Sequence, residues 1–215
     1  MTALRPRARK GDGDRLREEI LVAAERLLLE TGSEEAVSIR AVAKAVGVTA
    51  PSIYRHFEDK TDLMFEVCAR QFAAFDAALI SAVEGIEDPE EAMYACGRAY
   101  VRFGMDHPEH YRIMFMLPDR ATPEKWDDVM TTGSFAVLTS RIAQMTEQGV
   151  LRDGTDSFEL ALHVWSNIHG LTSLLVARPT LPWPELDTFI DDHLAMCLGG
   201  AIAPRDQRRK AGRRR

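Results

Sequence analysis

Apolar positions along this chain recur at three- and four-residue intervals, and no segment shows the two-residue alternation of a half-buried strand. The pattern therefore predicts an all-α fold. Its sharpest passage is IRAVAKAVGVTAPSIYRHF, from Ile39 to Phe57. Ile39, Val42, Ala43 and Val46 form one apolar stripe, with Arg40 and Lys44 on the wet side. Ser38 is placed to cap that helix, and Gly47 follows its last periodic residue, where a left-handed turn suits glycine. Val48 then plugs the space between two helices. Thr49 is placed to cap the second helix and Pro51 fits its opening turn, while Ile53 and Phe57, four apart, face inward. Downstream, helices are expected over Asp62–Val83, Pro89–Met105, Pro108–Met114, Pro123–Glu147, Ser157–Val176 and Pro184–Leu198, with prolines at helix starts and Gly149 and Gly154 at ends.

Two short helices joined by a glycine turn form a helix-turn-helix, whose second helix leaves Ala50, Ser52, Arg55 and His56 facing out and Tyr54 at the flank. A face that narrow suits a major groove, where each base pair shows its own donor and acceptor pattern. Arg55 is the best base reader on this face. Tyr54 and Lys60 suit phosphate contacts, and Arg40 offers a further grip on the backbone. The bland alternative is an ordinary αα-corner with a few surface charges.

The run from Ile20 to Leu63 resembles the N-terminal signature of the tetracycline-repressor-type (TetR-type) transcriptional regulators: an amphipathic first helix ending near Gly32, then SIRAVAKAVGVTAPSIYRHFEDKTDL. The resemblance implies an all-helical homodimer with an N-terminal three-helix domain containing the helix-turn-helix, followed by a larger helical ligand-binding and dimerisation domain. By position in the motif, Thr49, Ala50, Pro51, Ser52, Tyr54, Arg55, His56 and Lys60 are similar to the family's DNA-contacting residues. The start of the helix near Lys60 would add a phosphate contact. Ala50-Pro51 departs from the commoner pattern at the head of the reading helix, so contacts from that end are apolar or absent.

Composition narrows the class. The 215 residues are 46% hydrophobic, enough for one or two domains with a core. No apolar run is read as long enough to span a bilayer, and a basic start followed by charged helix is not a signal peptide, so the expected location is cytoplasmic, with no membrane partner. Cys68, Cys96 and Cys197 have neither metal nor disulfide spacing and read as buried thiols in a reducing compartment.

The net charge of −6 divides unevenly: Met1–Arg17 holds six basic and two acidic residues and Arg205–Arg215 seven and one, leaving the middle at −16. Such a middle repels a duplex wrapped around the whole molecule and points to DNA contact through one pole. The arm bearing Arg5, Arg7, Arg9 and Lys10 is placed either to follow a phosphate backbone or to serve as a solubilising tail. The expected division is 1–14 basic arm, 15–60 DNA-binding domain, 61–202 ligand-binding and dimerisation domain and 203–215 basic disordered tail, the last with no assigned role.

Bulky soft side chains crowd the C-terminal half: Met93, Tyr100, Phe103, Met114, Phe115, Phe135, Leu138 and Trp165. Such a stripe ordinarily packs a core, yet Met and aromatics also wall adaptable apolar pockets, and the resemblance implies an effector cavity among these helices, with Asn167 and His169 as polar contacts. Trp165-Ser166-Asn167-Ile168-His169-Gly170 also resembles the W…HG signature of one TetR-type C-terminal subclass. Gly170 inside an apolar helix predicts a close helix approach, since glycine there otherwise costs about 1 kcal/mol relative to alanine. Gly170, Leu171, Leu174, Leu175, Phe189, Leu194 and Leu198 are the dimer candidates, intramolecular core being the alternative.

Other classes are weaker. Asp106, His107, Glu109 and His110, with His163 or His169, can be drawn as a metal site but match no ligand motif, and no serine or cysteine is placed beside a histidine as a nucleophile. No enzyme, cofactor or metal is expected. A constitutive architectural DNA-binding dimer competes with the regulator reading and differs from it in lacking an effector pocket. The partners expected are thus double-stranded DNA bearing an inverted repeat, a small-molecule effector and a second copy of the chain. Repression relieved by a largely apolar ligand is the behaviour the resemblance implies, with an activator using the same residues.

Overall fold

The computed structural model describes residues 12–116 and 133–202. Most of the basic arm, the expected helix start at Pro123 and the C-terminal tail lie outside the described residues. Nine α-helices and no strand occur among the described residues: α1 (Asp12–Thr31), α2 (Ile39–Val46), α3 (Ala50–Ile53), α4 (Lys60–Val83), α5 (Pro89–Asp106), α6 (Pro108–Met116), α7 (Gly133–Glu147), α8 (Ser157–Ala177) and α9 (Leu186–Gly199). An isolated bridge pairs Leu151 with Ile202.

Two compact units share these helices. The first takes the described residues up to Phe72 together with 109–116, and the second takes 73–108 and 133–202. The change of unit falls inside α4, at Phe72, rather than at 60–61 where the sequence suggested it. The reason is packing: Leu63, Met64 and Val67 of α4 and Ile113 of α6 complete the core built by Ile20, Ala24, Leu28, Val37, Val42, Ile53 and Phe57. Each of the larger side chains contributes roughly 1.5–3 kcal/mol by leaving water, which a unit this small needs.

Local chemistry adjusts the expected helix ends. The start foreseen at Asp62 lies at Lys60, because Asp59 caps the helix by accepting the Asp62 N–H at 2.8 Å, while Asp62 accepts the Glu58 N–H at 3.0 Å. Similarly α9 begins at Leu186, not Pro184, since the Glu185 carboxylate takes the N–H groups of Asp187 and Thr188 at 3.2 and 2.9 Å. Of the expected helix from Pro123 to Glu147, the described part is Gly133–Glu147. Gly133, at φ +59°, has a left-handed conformation that no helix carries through, and the Asp76 carboxylate accepts the Ser134 N–H at 2.9 Å, capping α7 from α4.

In the second unit, α5 packs on α7, α8 and α9, and α8 packs on α7 and α9. Gly97 lies so close to Leu194 that a Cβ there would overlap the leucine side chain. Arg98–Asp191 at 2.6 Å and the two-pronged Arg102–Asp187 contact at 2.7 and 2.9 Å tie α5 to α9 along an accessible edge, where ion pairs add little stability. At 21 residues, α8 is long and apolar enough, by length and composition alone, to cross a membrane, which corrects the expectation that no such run exists. Here Leu160, Ala161, Val164, Ile168, Leu171 and Leu175 are buried within the unit, so α8 packs as a core helix.

Candidate nucleic-acid interface

The helix-turn-helix forms as its residues dictate. Ser38 Oγ accepts the Ala41 N–H at 3.1 Å, Gly47 adopts φ +75°, and the Val48 N–H returns to the Ala43 carbonyl at 3.0 Å. Ile53 and Phe57 are buried, and the Phe57 N–H donates to the Ile53 carbonyl at 3.1 Å, so the helical sense of α3 continues past its four residues. Thr49 occupies the capping position with extended backbone, but its hydroxyl lies 3.0 Å from the Ser52 hydroxyl instead of binding a backbone N–H.

The outward side chains separate by exposure. Pro51 and Arg55 are exposed, Tyr54 is 54% exposed, and Ala50, Ser52 and His56 are half-buried, Ala50 against the core. Arg40 is exposed on α2. Among the described residues neither Arg55 nor Arg40 makes a hydrogen bond or ion pair. An exposed tyrosine at the end of α3 and a guanidinium in the turn after it, unpaired among the described residues, can meet a duplex without first breaking contacts to those residues.

Lys60 behaves differently. Half-buried, its Nζ donates to the Glu34 carbonyl at 2.6 Å, in the 3-10 turn Glu34–Ala36 between α1 and α2. In the first turn of α4, expected to hold a phosphate, the Asp62 N–H already donates to the Asp59 carboxylate, while the Asp62 carboxylate accepts the Glu58 N–H just before the helix. Arg17, which sequence reasoning passed over, supports the reading helix from behind: its guanidinium stands 5.1 Å from the centre of the Phe57 ring and pairs with Glu66 at 3.0 Å. These partners lie forty or more positions away in sequence, beyond the reach of any local pattern.

The expected effector residues do not form one group. Met114 and Phe115 belong to the first unit, where Phe115 meets Phe72 and Tyr111 at ring-centre distances of 5.4 and 4.8 Å. Met93 and Tyr100 are buried core of the second unit. Around them Phe75 meets Tyr100 and Phe103 edge-on, and Phe135 meets Trp165 at 6.2 Å. Leu138 is half-buried on α7. His169 takes Tyr100 on Nδ1 at 3.1 Å and Ser173 on Nε2 at 3.3 Å, and burial pushes its pKa down, favouring the neutral ring. Asn167 is half-buried, with its Oδ1 fully enclosed and without a hydrogen-bond partner among the described residues.

The dimer candidates split as well. Leu171, Leu175, Leu194 and Leu198 are buried inside the chain, which makes them core. Leu174 is 55% exposed, Phe189 is half-buried, and Met196, absent from the sequence-based set, is 80% exposed. Among the described residues no atom crowds a Cβ built at Gly170; the close helix approach occurs at Gly97.

The residues drawn as a metal site scatter. His107 packs on Phe103 at 4.9 Å, His110 faces Glu25 at 3.6 Å, Glu109 pairs with Arg112, and His163 lies 3.8 Å from Glu159. No group of three metal-binding side chains occurs among the described residues. Burial, with Glu34 adding repulsion at Cys68, lifts the Cys68 thiol to about 11, and burial alone lifts Cys96 to about 11, so both are poor nucleophiles.

This geometry defines a DNA-binding protein of the helix-turn-helix class. Residues 20–67 match the family model of the bacterial regulatory proteins of the tetR family, and residues 93–197 match the tetracyclin repressor-like C-terminal domain. The chain belongs to the TetR family of transcription regulators. It is 26% identical to the uncharacterized HTH-type transcriptional regulator Rv0681 of Mycobacterium tuberculosis over 160 residues, 74% of this chain and 70% of that protein. Over 64 residues it is 39% identical to the HTH-type transcriptional repressor BepR of Brucella suis, 30% of each chain. Among solved structures, a protein of unknown function from Rhodococcus sp. RHA1 has a TM-score of 0.73 at 24% identity, covering 87% of this chain and 96% of its own. A TetR family regulator from Marinobacter aquaeolei has a TM-score of 0.69 at 20% identity, covering 91% and 100%. These structures share the fold. TetR regulators are DNA-binding proteins and not enzymes.

Proposed function

We propose that this regulator is a cytoplasmic homodimeric repressor that leaves an inverted-repeat operator when a small, largely apolar ligand binds its C-terminal domain. The observation that carries the DNA half is exposed Arg55, unpaired among the described residues, beside exposed Tyr54 at the end of a helix whose inner face is locked by Ile53 and Phe57. In this reading Arg55 contacts a base edge, Tyr54 and Arg40 hold phosphates, and Thr49, Ala50, Pro51, Ser52 and His56 line the groove contact. Repression is the choice favoured by the likeness of the DNA-binding region to BepR, a named repressor. The first unit supplies the reading head and the second the ligand and dimer functions, with α4 contributing residues to both.

One reading head per chain gives few base contacts, and pairing two heads roughly sums their sequence-dependent terms. Leu174, Phe189 and Met196 are the accessible apolar side chains that suit a second copy, and Gly170 leaves room for its helix. A ligand bound more tightly by the DNA-incompetent dimer then shifts the population away from the operator. Trp165, Phe135, Phe103, His169 and the unpartnered Asn167 acceptor are the second-unit groups proposed to meet it, which asks for an apolar body with one hydrogen-bond donor.

The test is a thermal-shift screen of apolar and amphipathic metabolites, with hits competed against operator DNA. Stabilising ligands should lower operator affinity. Stabilisation with operator affinity unchanged favours the architectural dimer and removes the effector mechanism.

A further inference from the structure

We infer that Arg17 is a positioning residue for DNA reading, which from α1 fastens the end of the reading helix to α4. Its guanidinium stands 5.1 Å from the centre of the Phe57 ring and 3.0 Å from the Glu66 carboxylate, so one side chain joins three elements of the first unit. The inference rests on the reading of α3 as the DNA-contacting helix. With four residues, α3 has too few hydrogen bonds of its own to hold a direction, which is set by what its inner side chains rest on. Ile53 rests in the core of the first unit, and Phe57 rests in the same core with Arg17 over its ring. Arg55 lies inside the turn that the Phe57 N–H closes on the Ile53 carbonyl at 3.1 Å. A displacement of Phe57 therefore carries Arg55 with it.

A second ion pair fixes where α1 and α4 meet along their lengths. Glu18, next to Arg17, pairs at 2.7 Å with Arg70, four residues beyond Glu66. The polarity is crossed: the cation comes first on α1 and the anion first on α4. A slide of one helical turn would face Arg17 with Arg70 or Glu18 with Glu66, so only one register pairs both. All four side chains are partly accessible, and pairs of that kind add little stability. What they supply is direction, and Arg17 passes it to the ring beneath the reading helix.

The experiment uses the full chain with Arg17→Met, Glu66→Gln and both together, and Arg55→Ala as control. The operator selected by the parent and a random-sequence duplex are titrated across a salt series, at a temperature where circular dichroism shows every variant folded. Positioning predicts that Arg17→Met lowers the operator-to-random affinity ratio about three- to tenfold, through loss of a cation–π contact and an ion pair, and Glu66→Gln about two- to fivefold. The double variant falls no further than Arg17→Met, because the pair is already broken. The salt slope of Arg17→Met stays at the parent value. Glu66→Gln also separates geometry from charge, since removal of an anion acts through its field alone to strengthen binding to both duplexes and leaves their ratio unchanged. For Arg17→Met, a slope shallower by about 0.9 with equal losses on both duplexes identifies a phosphate contact and overturns the role, as do ratios at the parent value. If Arg17→Met fails to fold, Glu66→Gln, at an accessible position, decides alone. Arg55→Ala tells the two failures apart. Base preference lost there while the Arg17 and Glu66 variants match the parent refutes the role of Arg17 only; base preference unchanged there sinks the reading of α3 and the role of Arg17 with it.

Discussion

The two units of this chain spend their distinctive side chains in opposite ways. In the first, Arg55, Tyr54 and Arg40 stand outside a core that is complete without them. In the second, Tyr100, His169, Ser173, Phe75 and Phe103 are engaged with one another, and four of the seven residues chosen for a subunit contact are buried within the chain. The difference is one between a surface built to touch something large and rigid and an interior whose binding capacity depends on how it repacks. Duplex DNA can be met by a preformed face, whereas a ligand of the kind proposed would displace contacts that the second unit makes with itself.

The largest effect that tests this contrast belongs to the interior. Leu194→Ala should cost roughly 2–5 kcal/mol in chemical denaturation, because the leucine fills the space over Gly97 and its removal leaves a cavity. Leu174→Ala, at an exposed position, should stay within about 0.5 kcal/mol of the parent fold and instead reduce sedimentation mass. Equal destabilisation by the two would erase the distinction drawn here between core and contact face.

Next in size is Gly133→Ala. A left-handed alanine costs about 1–2 kcal/mol, and its Cβ would also overlap the Asp76 carboxylate that caps α7. Thermal unfolding of the variant should show that loss, and Asp76→Ala should show part of it. A variant as stable as the parent would mean that α4 does not hold the start of α7.

The contrast also explains what sequence could and could not convey. In the stretch from Ser38 to Phe57 each residue has one available role, since an eight-residue helix, a glycine at φ +75° and a second short helix leave a single way to bury Val42, Ile53 and Phe57. Exposed Arg55 and Tyr54 followed by subtraction, whereas Ala50, Ser52 and His56, also read as facing out, are half-buried. Along α8 almost every face is apolar, so periodicity could not rank Leu171 against Leu174; only the packing of α5, α7 and α9 decides which is core. Lys60 shows the same limit. A cation after a reading helix suggests phosphate, and nothing local to it announces a carbonyl 26 residues away.

A smaller effect sharpens the first unit. Ser38→Ala removes the cap on the Ala41 N–H and should cost about 1 kcal/mol by denaturation, with operator affinity falling in step because α2 frames the turn. Unchanged stability would show that the core alone fixes α2.

The smallest concerns pH. Burial lowers the His169 pKa below its ordinary 6.5, so as pH falls through that value the unfolded chain takes up a proton that the folded ring resists. Stability should therefore be intact above about pH 7 and decline below about 6.5. His169→Gln should flatten that part of the profile. A parent profile level down to about pH 5 would indicate that His169 accepts its proton in place.

Operator selection from a randomised duplex library, carried out in parallel with the parent and with Arg55→Ala, tests the central claim most directly. The parent should enrich an inverted repeat whose half-site centres lie about 34–36 Å apart or a multiple of that distance. The variant should keep the parent's stability while losing roughly 1–3 kcal/mol of base discrimination at one position, symmetrically in both half-sites. A parent motif without two-fold symmetry, or an Arg55→Ala motif identical to the parent's, would contradict a paired reading of DNA through α3.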